Sequence, residues 1–278
     1  GHRLGLGALK LDSPPDITII KCLLAADHGF VSGNDLAHTL GMSRVGVWSR
    51  LQRLREEGFR IAAVPGRGYR LEATPWNAHP DTIRALLALA SIDAGLLFFP
   101  EIDSTNSEAE RQLVTGRQTP FVIAATQQIR GRGRLGRSWH SPEEGNAYLT
   151  FAFQPELKPD QMQTFTLWMG LNLCNFIHQT TQLPVGVKWP NDIMLRNRKC
   201  GGILAEARID DNRIIDLLIG VGLNINSDCN TWPAPLKARA TSLSHHSGAP
   251  VALNPFLAGL ICSGIGAYQR FLKSRIEE

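Results

Sequence analysis

Between residues 130 and 137 the chain alternates arginine with glycine: Arg130-Gly131-Arg132-Gly133-Arg134-Leu135-Gly136-Arg137, closing on Ser138-Trp139. No other segment constrains the fold as much. Four guanidinium groups this dense stay out of an apolar core. The glycines let backbone approach a ligand closely or take positive φ. Arginine offers a planar fork of donors that matches carboxylate and phosphate. The segment is therefore a surface loop suited to a substrate pair carrying several negative charges. Its glycines also satisfy G-x-G-x-x-G, but a dinucleotide-binding loop of that type opens a helix. Here the chain runs through Pro142 and Gly145 into an apolar strand over 147–153, so the Rossmann reading falls away. A basic nucleic-acid-binding loop stays open on these residues alone.

The surrounding body mixes element types. Strands are expected over 96–102, 121–126, 147–153, 185–188, 193–195, 203–209 and 214–219. Helices are expected over 81–90, 107–114, 162–180 and 255–275. Hairpins late in this order give a mixed sheet, and α+β fits better than a doubly wound sheet. In Val187-Lys188-Trp189-Pro190-Asn191-Asp192, Pro190 turns Trp189 from helical geometry. Lys188 then ends a strand, where its amine projects into a cleft or lies on the surface. Gly220-Val221-Gly222-Leu223-Asn224 sets two glycines in a strand. That pattern marks a bulge or the close approach of a ligand or another backbone. Asn224 is a neutral side chain able to face a phosphate or a metal shell.

The first 75 residues read differently. Ile17, Ile20, Leu23 and Leu24 recur at helical spacing up to Asp27-His28-Gly29. Ser32 with Asp35 is a capping-box variant for a short helix that Gly41 stops. Ser43 caps a third helix, whose buried stripe is Val47, Leu51 and Leu54. Val45, Ser49, Gln52 and Arg53 point away from that stripe, with Ser43 and Arg44 at the leading end. A small, polar, basic face of this kind suits the major groove. Residues 61–64 and 69–71 flank the turn Pro65-Gly66-Arg67-Gly68 and form a hairpin, which places Arg67 at its tip. Three helices and a basic hairpin make a winged helix-turn-helix; the alternative is a helical module that docks on the body or a partner. Charge agrees weakly: residues 1–75 carry ten Lys/Arg against seven Asp/Glu, in a chain of net charge +4. Pro-punctuated residues 74–80 read as linker. The expected division is a DNA-binding domain over 1–73, a linker over 74–80 and a second domain over 81–278.

Several classes are excluded. With 43% hydrophobic and 19% charged residues the chain can bury a core, so it is not a disordered chain. No apolar run approaches the roughly 18 residues a spanning helix needs, so no membrane is expected. The five cysteines are scattered, with no C-x-x-C, and H-E-x-x-H is absent. Reduced cytoplasmic thiols follow, with neither a disulfide framework nor a protein-held metal site. Gly1-His2 is read as an expression remnant and not as a targeting segment.

Taken together, these segments resemble the bifunctional biotin–protein ligase and biotin operon repressor family. The resemblance is carried by Thr39 to Arg44, Val64 to Tyr69, Asp103-Ser104-Thr105-Asn106, the Gly-Arg loop, Lys188 to Asp192, Arg198-Lys199 with Gly201 to Leu204, and Gly220 to Asn224. It implies adenylation of biotin by MgATP, transfer to a lysine of a biotin carboxyl carrier domain, and binding as a homodimer to operator DNA of biotin synthesis genes. It assigns Ser104, Thr105, Asn106, Gln128, Gly131, Arg132, Gly133, Arg134 and Lys188 to the biotin site, with Arg132, Arg134 and Lys188 as catalytic residues. Arg137, Trp139, Lys199 and Asn224 fall to the nucleotide side, and Asp192 is a candidate proton acceptor in the transfer step. The family usually continues into a small SH3-like barrel, which this chain is expected to lack. That departure leaves a biotin-sensing regulator without ligase activity as the alternative. A lipoate or octanoate transferase is a further one.

Overall fold

The computed structural model describes residues 14–142, 145–155 and 157–276, so Gly1-His2 and the charges at Arg3, Lys10 and Asp12 lie outside the described residues. The chain divides into two compact units after Leu89.

In the first unit, α1 (Pro15–Ala25), α2 (Gly33–Leu40) and α3 (Arg44–Glu56) precede the hairpin β1 (Arg60–Val64) and β2 (Gly68–Ala73), and α4 (Pro80–Leu89) closes it. Both capping serines act, although Ser32 bonds the second helical N–H and no reciprocal Asp35 bond accompanies it among the described residues. Ser32 Oγ accepts from Asn34 N–H and Ser43 Oγ from Gly46 N–H, both at 3.1 Å, which satisfies helix-start donors with no other partner. Gly41 ends α2 in the left-handed region at φ 60°. Ile20, Leu23, Leu36, Val47, Leu51 and Leu54 fill the core. The wing is pinned by Val31, which exchanges both backbone hydrogen bonds with Tyr69. Gly68 permits that approach: a Cβ there would sit 2.2 Å from Val31 O, at φ 105°.

The domain boundary needs correction. Residues 81–90 were expected to open the second domain, after a linker over 74–80. Instead α4 packs on α1 and adds Ala85 to the first unit's core. His79, in the expected linker, meets the Phe59 ring edge-on at 5.0 Å and Glu57 at 3.3 Å. Proline and asparagine mark irregular backbone, but they do not say whether that backbone is free.

The second unit holds β3 (Gly95–Ile102), α5 (Thr105–Val114), β4 (Phe121–Gln128), β5 (Ala147–Phe153), α6 (Gln161–Thr181), β6 (Val185–Lys188), β7 (Asp192–Leu195), β8 (Arg198–Asp210), β9 (Arg213–Leu223), the short α7 (Ala234–Lys237) and α8 (Leu243–Ser247), and α9 (Leu253–Ile276). The sheet order is β3-β4-β5-β9-β8-β7-β6. Only β3 and β4 run parallel; the other neighbours are antiparallel. This is the mixed sheet of an α+β unit. Helices α6 and α9 cover one face, where Phe151 and Phe153 pack with Phe165, Tyr268 and Phe271. On the other face α5 sets Ala109 against Phe121, Ile123, Ala152 and Leu218. No helix among the described residues is long and apolar enough to cross a membrane.

Register fixes which side chains share the α5 face, because alternate residues of a strand point the same way. Thr150, Gly220 and Leu204 lie abreast across β5, β9 and β8; so do Tyr148, Gly222 and Gly202, and then Ala152, Leu218 and Glu206. Glycines at 202, 220 and 222 leave a bare strip of backbone in the middle of this face.

Candidate functional site

The Gly-Arg loop leaves β4 and folds back over that strip. Its base extends the parallel pair: Ile129 N–H donates to Ile102 O and Arg130 N–H to Asp103 O, both at 2.9 Å. The loop closes on itself through Trp139 N–H to Gly131 O (2.8 Å) and Gly133 N–H to Arg137 O (2.6 Å). Trp139 thereby lies on the glycines. A Cβ on Gly222 would sit 2.5 Å from the indole, and one on Gly202 would sit 3.3 Å from it. The indole Nε1 is buried with no acceptor among the described residues.

A polar relay lines the same cleft. Thr105 donates through both N–H (2.8 Å) and Oγ1 (3.0 Å) to Gln128 Oε1, and Gln128 Nε2 donates to Ser141 Oγ at 2.9 Å. The single hydroxyl proton of Thr150 lies between Asn106 Oδ1 (2.6 Å) and Thr105 Oγ1 (2.9 Å). Asn106 Nδ2 and Arg132 Nη2 each donate to Glu206 Oε2 at 2.7 Å. Just before α5, the Arg111 guanidinium, helped by Ser104 N–H, holds the Asp103 carboxyl down at about 2. That anchors the turn presenting Ser104, Thr105 and Asn106. On the far side Lys199 Nζ meets Asp192 Oδ1 at 2.6 Å and stands 5.2 Å from the Trp139 ring centre.

Of the expected site residues, Ser104, Thr105, Asn106, Gln128, Arg132, Gly133, Arg134, Trp139 and Lys199 line this cleft, and four do not. Gly131 is packed beneath it, where a Cβ would meet Trp139 O at 2.6 Å and Ser141 Oγ at 2.7 Å. Arg137 contributes its carbonyl to loop closure and its side chain is exposed. Lys188 is exposed at the end of β6, opposite Asp192. Asn224 is corrected from a ligand-facing side chain to a strut, since it is buried and its Nδ2 donates to Thr241 O at 3.1 Å. Thr150, Asn191 and Glu206 were missed as individual residues. The signal for Glu206 was the two-residue alternation from Gly202 through Leu204, legible only once the facing side was known. A second, larger opening of about 690 Å³ lies beyond the Arg132–Glu206 pair, between Leu113, Arg208, Asp216 and Leu218. It holds none of the glycine strip.

On α3 the expected reading face is largely outward. Ser43, Arg44, Val45 and Ser49 are exposed, and Gln52 is half-buried. Arg53 is corrected: it pairs with the buried carboxylate of Asp16, which also takes Arg50 at 3.0 Å, and it approaches Glu57 at 3.6 Å. Its guanidinium, half exposed, is drawn toward a buried acid that it shares with Arg50. Trp48, 52% exposed beside Val45, went unnoticed although it stands off the 47/51/54 stripe. In the wing, Arg67 stacks 4.1 Å over the Phe30 ring. Arg44→Ala should lower the slope of log affinity against log salt by about 1 for duplex DNA. Arg53→Ala should leave that slope unchanged and lower the melting temperature instead. Anisotropy titrations across a salt series, with thermal melts, check both.

The architecture is that of a winged helix-turn-helix module followed by a mixed-sheet unit whose arginine-rich loop closes over a strip of glycines. Residues 98–224 match the biotin/lipoate A/B protein ligase family and residues 17–70 an HTH domain. Over 233 residues the chain is 30% identical to the bifunctional ligase/repressor BirA of Bacillus subtilis, covering 84% of this chain and 72% of that protein. It is 35% identical over 206 residues to the bifunctional ligase/repressor BirA of Escherichia coli, covering 73% and 61%. The biotin protein ligase from Aquifex aeolicus in complex with biotin and ATP superposes with a TM-score of 0.54 at 28% identity, covering 64% of this chain and 72% of that one. The chain belongs to the bifunctional biotin–protein ligase and repressor family.

Proposed function

We propose that the second unit joins biotin to ATP as biotinyl-5′-AMP, then transfers biotin to a lysine of a biotin carboxyl carrier domain. The first unit then represses biotin synthesis genes by binding their operator, as a homodimer in the cytoplasm. One observation carries the ligase reading: Arg132, Arg134 and Lys199 are gathered round a cleft floored by Gly202, Gly220 and Gly222.

In the first step a carboxylate oxygen of biotin attacks the α-phosphorus of ATP and pyrophosphate leaves. A carboxylate is already ionised near pH 7, so no general base is needed. The barrier is the approach of two anions. Fixed cations offset that repulsion and stabilise charge that develops on the phosphate. Arg132, Arg134, Lys199 and, on its flexible stem, Lys188 take that role, and Asp192 aims Lys199. Among the described residues no three His, Cys, Asp or Glu side chains are grouped to hold a metal ion. Asp192 and Glu206, which contact the cleft residues Lys199 and Arg132, already face cations. Mg²⁺ enters this reading with the substrate, as MgATP, whose phosphates supply much of its coordination. In the second step the neutral amine of the acceptor lysine attacks the acyl carbon, AMP leaves and the amine gives up a proton. A lysine near its ordinary pKa of about 10.4 is rarely neutral at pH 7, and surrounding cations favour the neutral form.

As it stands the cleft encloses about 50 Å³. Pockets that hold small molecules are roughly 300–1,000 Å³. Entry thus requires the loop bearing Trp139 to lift, and its reclosure keeps water from the adenylate. A reduced compartment fits the free cysteines: burial pushes the Cys200 thiol up to about 12, far from a reactive thiolate. A dimer fits a reader with one recognition helix per chain.

Mass spectrometry of the chain with biotin and MgATP should find bound biotinyl-AMP, and labelled biotin should pass to a carrier domain. Lys188→Ala should make the adenylate poorly, and Arg134→Gly should release it. Wild-type yield and retention in both variants would remove those two residues from the site.

A further inference from the structure

We propose that Glu206 is a positioning residue of the ligand cleft, orienting Asn106 and Arg132 for biotin through one carboxylate oxygen. The proposal rests on the reading of that cleft as the biotin site.

A half-exposed glutamate in a strand ordinarily faces water. Glu206 stays half-exposed, but β8 turns it to the α5 face together with Gly202 and Leu204, abreast of Leu218 and Ala152. There its Oε2 accepts from Asn106 Nδ2 and from Arg132 Nη2, each at 2.7 Å. The sequence separations are 100 and 74 residues, so the pairing exists only in the folded sheet.

The chemistry of a carboxylate makes this more than a surface ion pair. Ionised, it can only accept. It therefore fixes which end of the Asn106 amide faces it: the nitrogen turns to Glu206, and the carbonyl turns to Thr150 and to Gly220. The Asn106 Oδ1 lies 2.3 Å from where a Gly220 Cβ would be, so the amide rests directly on bare backbone. A neutral amide at 206 could donate or accept, and the orientation of Asn106 would no longer be dictated. Arg132 is the second client. It sits on a glycine-rich loop, exposed, with a long stem that solvent would otherwise keep mobile. The bond to Glu206 uses one of its five N–H donors and ties this cleft-lining guanidinium to the sheet, leaving donors for a ligand. An exposed ion pair of this kind adds little to stability. Its effect falls on where the two side chains point before ligand arrives.

The test uses the full chain and biotin-dependent ATP–pyrophosphate exchange. Glu206→Gln should raise the KM for biotin about tenfold, the size of one lost ligand hydrogen bond. The KM for ATP should stay within about twofold. Glu206→Ala serves if the glutamine variant does not fold. The double variant Glu206→Gln/Arg132→Ala should lose less than the two single losses multiplied, because residues acting through one another do not add. A general loosening of the sheet would move kcat and both KM values together. That outcome, an unchanged biotin KM, or independent losses would overturn the assignment while leaving the cleft intact. Absence of biotin-dependent exchange in the wild-type chain would overturn the reading of the cleft, and this proposal with it.

Discussion

Gly222→Ala is expected to cut biotin-dependent ATP–pyrophosphate exchange about a hundredfold, a loss of about 2.7 kcal/mol of transition-state stabilisation. The added methyl would sit 2.5 Å from Trp139 Cε2 and 2.6 Å from Nε1. No real Cβ contact is that short, so the indole must leave the glycine strip. Swinging off uncovers the strip. Where the Trp139 backbone follows, its N–H bond to Gly131 O and the Gly133–Arg137 bond carry Arg132 and Arg134 along. Displacements near 1 Å at a reacting centre are enough to cost such factors. Gly186→Ala is the matched control. A Cβ there meets nothing within 4 Å, and the variant should keep near-native activity and melting temperature. If Gly222→Ala is as active as Gly186→Ala, the strip is not the floor of the site.

The second large effect is expected at Lys199. Its amine touches Asp192 at 2.6 Å beside the Trp139 ring, with Gly202 and Gly222 beneath that ring. Removing one preorganised donor aimed at developing charge commonly costs 10²–10³ in rate. Lys199→Ala should lose about that much in the adenylation step, with a smaller change in biotin binding measured without nucleotide. Asp192→Asn should give a milder loss, because the amine stays but is no longer aimed. Single-turnover adenylate formation separates these effects; a Lys199→Ala rate within threefold of wild type would exclude the role.

Local pattern made most of the fold legible. The 47/51/54 stripe of α3, its Ser43 cap and the stop at Gly41 formed as read, because each depends on residues a few places apart. The second unit's core strands also followed from short apolar runs. β8 and β9 proved longer than expected, Arg198–Asp210 and Arg213–Leu223, because their outer ends are polar and are held by pairing with each other. The errors share one cause. Arg53 pointed outward on a helical wheel, but Asp16 on another helix captured it. Asn224 carried the right donor for a phosphate, yet Thr241 lay closer. The segment before α4 looked like linker until Phe59 packed against it.

By itself the sequence determined the kinds of element, their caps, and the chemistry on offer: guanidinium groups on a glycine-rich loop, an amine near a strand end, glycines within a strand. These are properties of neighbouring residues, set by side-chain volume, charge and backbone freedom. Only the tertiary structure decided that Gly202, Gly220 and Gly222 form one strip, that Trp139 covers it, and that Glu206 faces Asn106 and Arg132. Those facts depend on strand register. A shift of one residue in the pairing of β8 with β9 would turn Gly202 and Glu206 to the face opposite Gly220 and Gly222. The spacing of residues along each strand would stay the same.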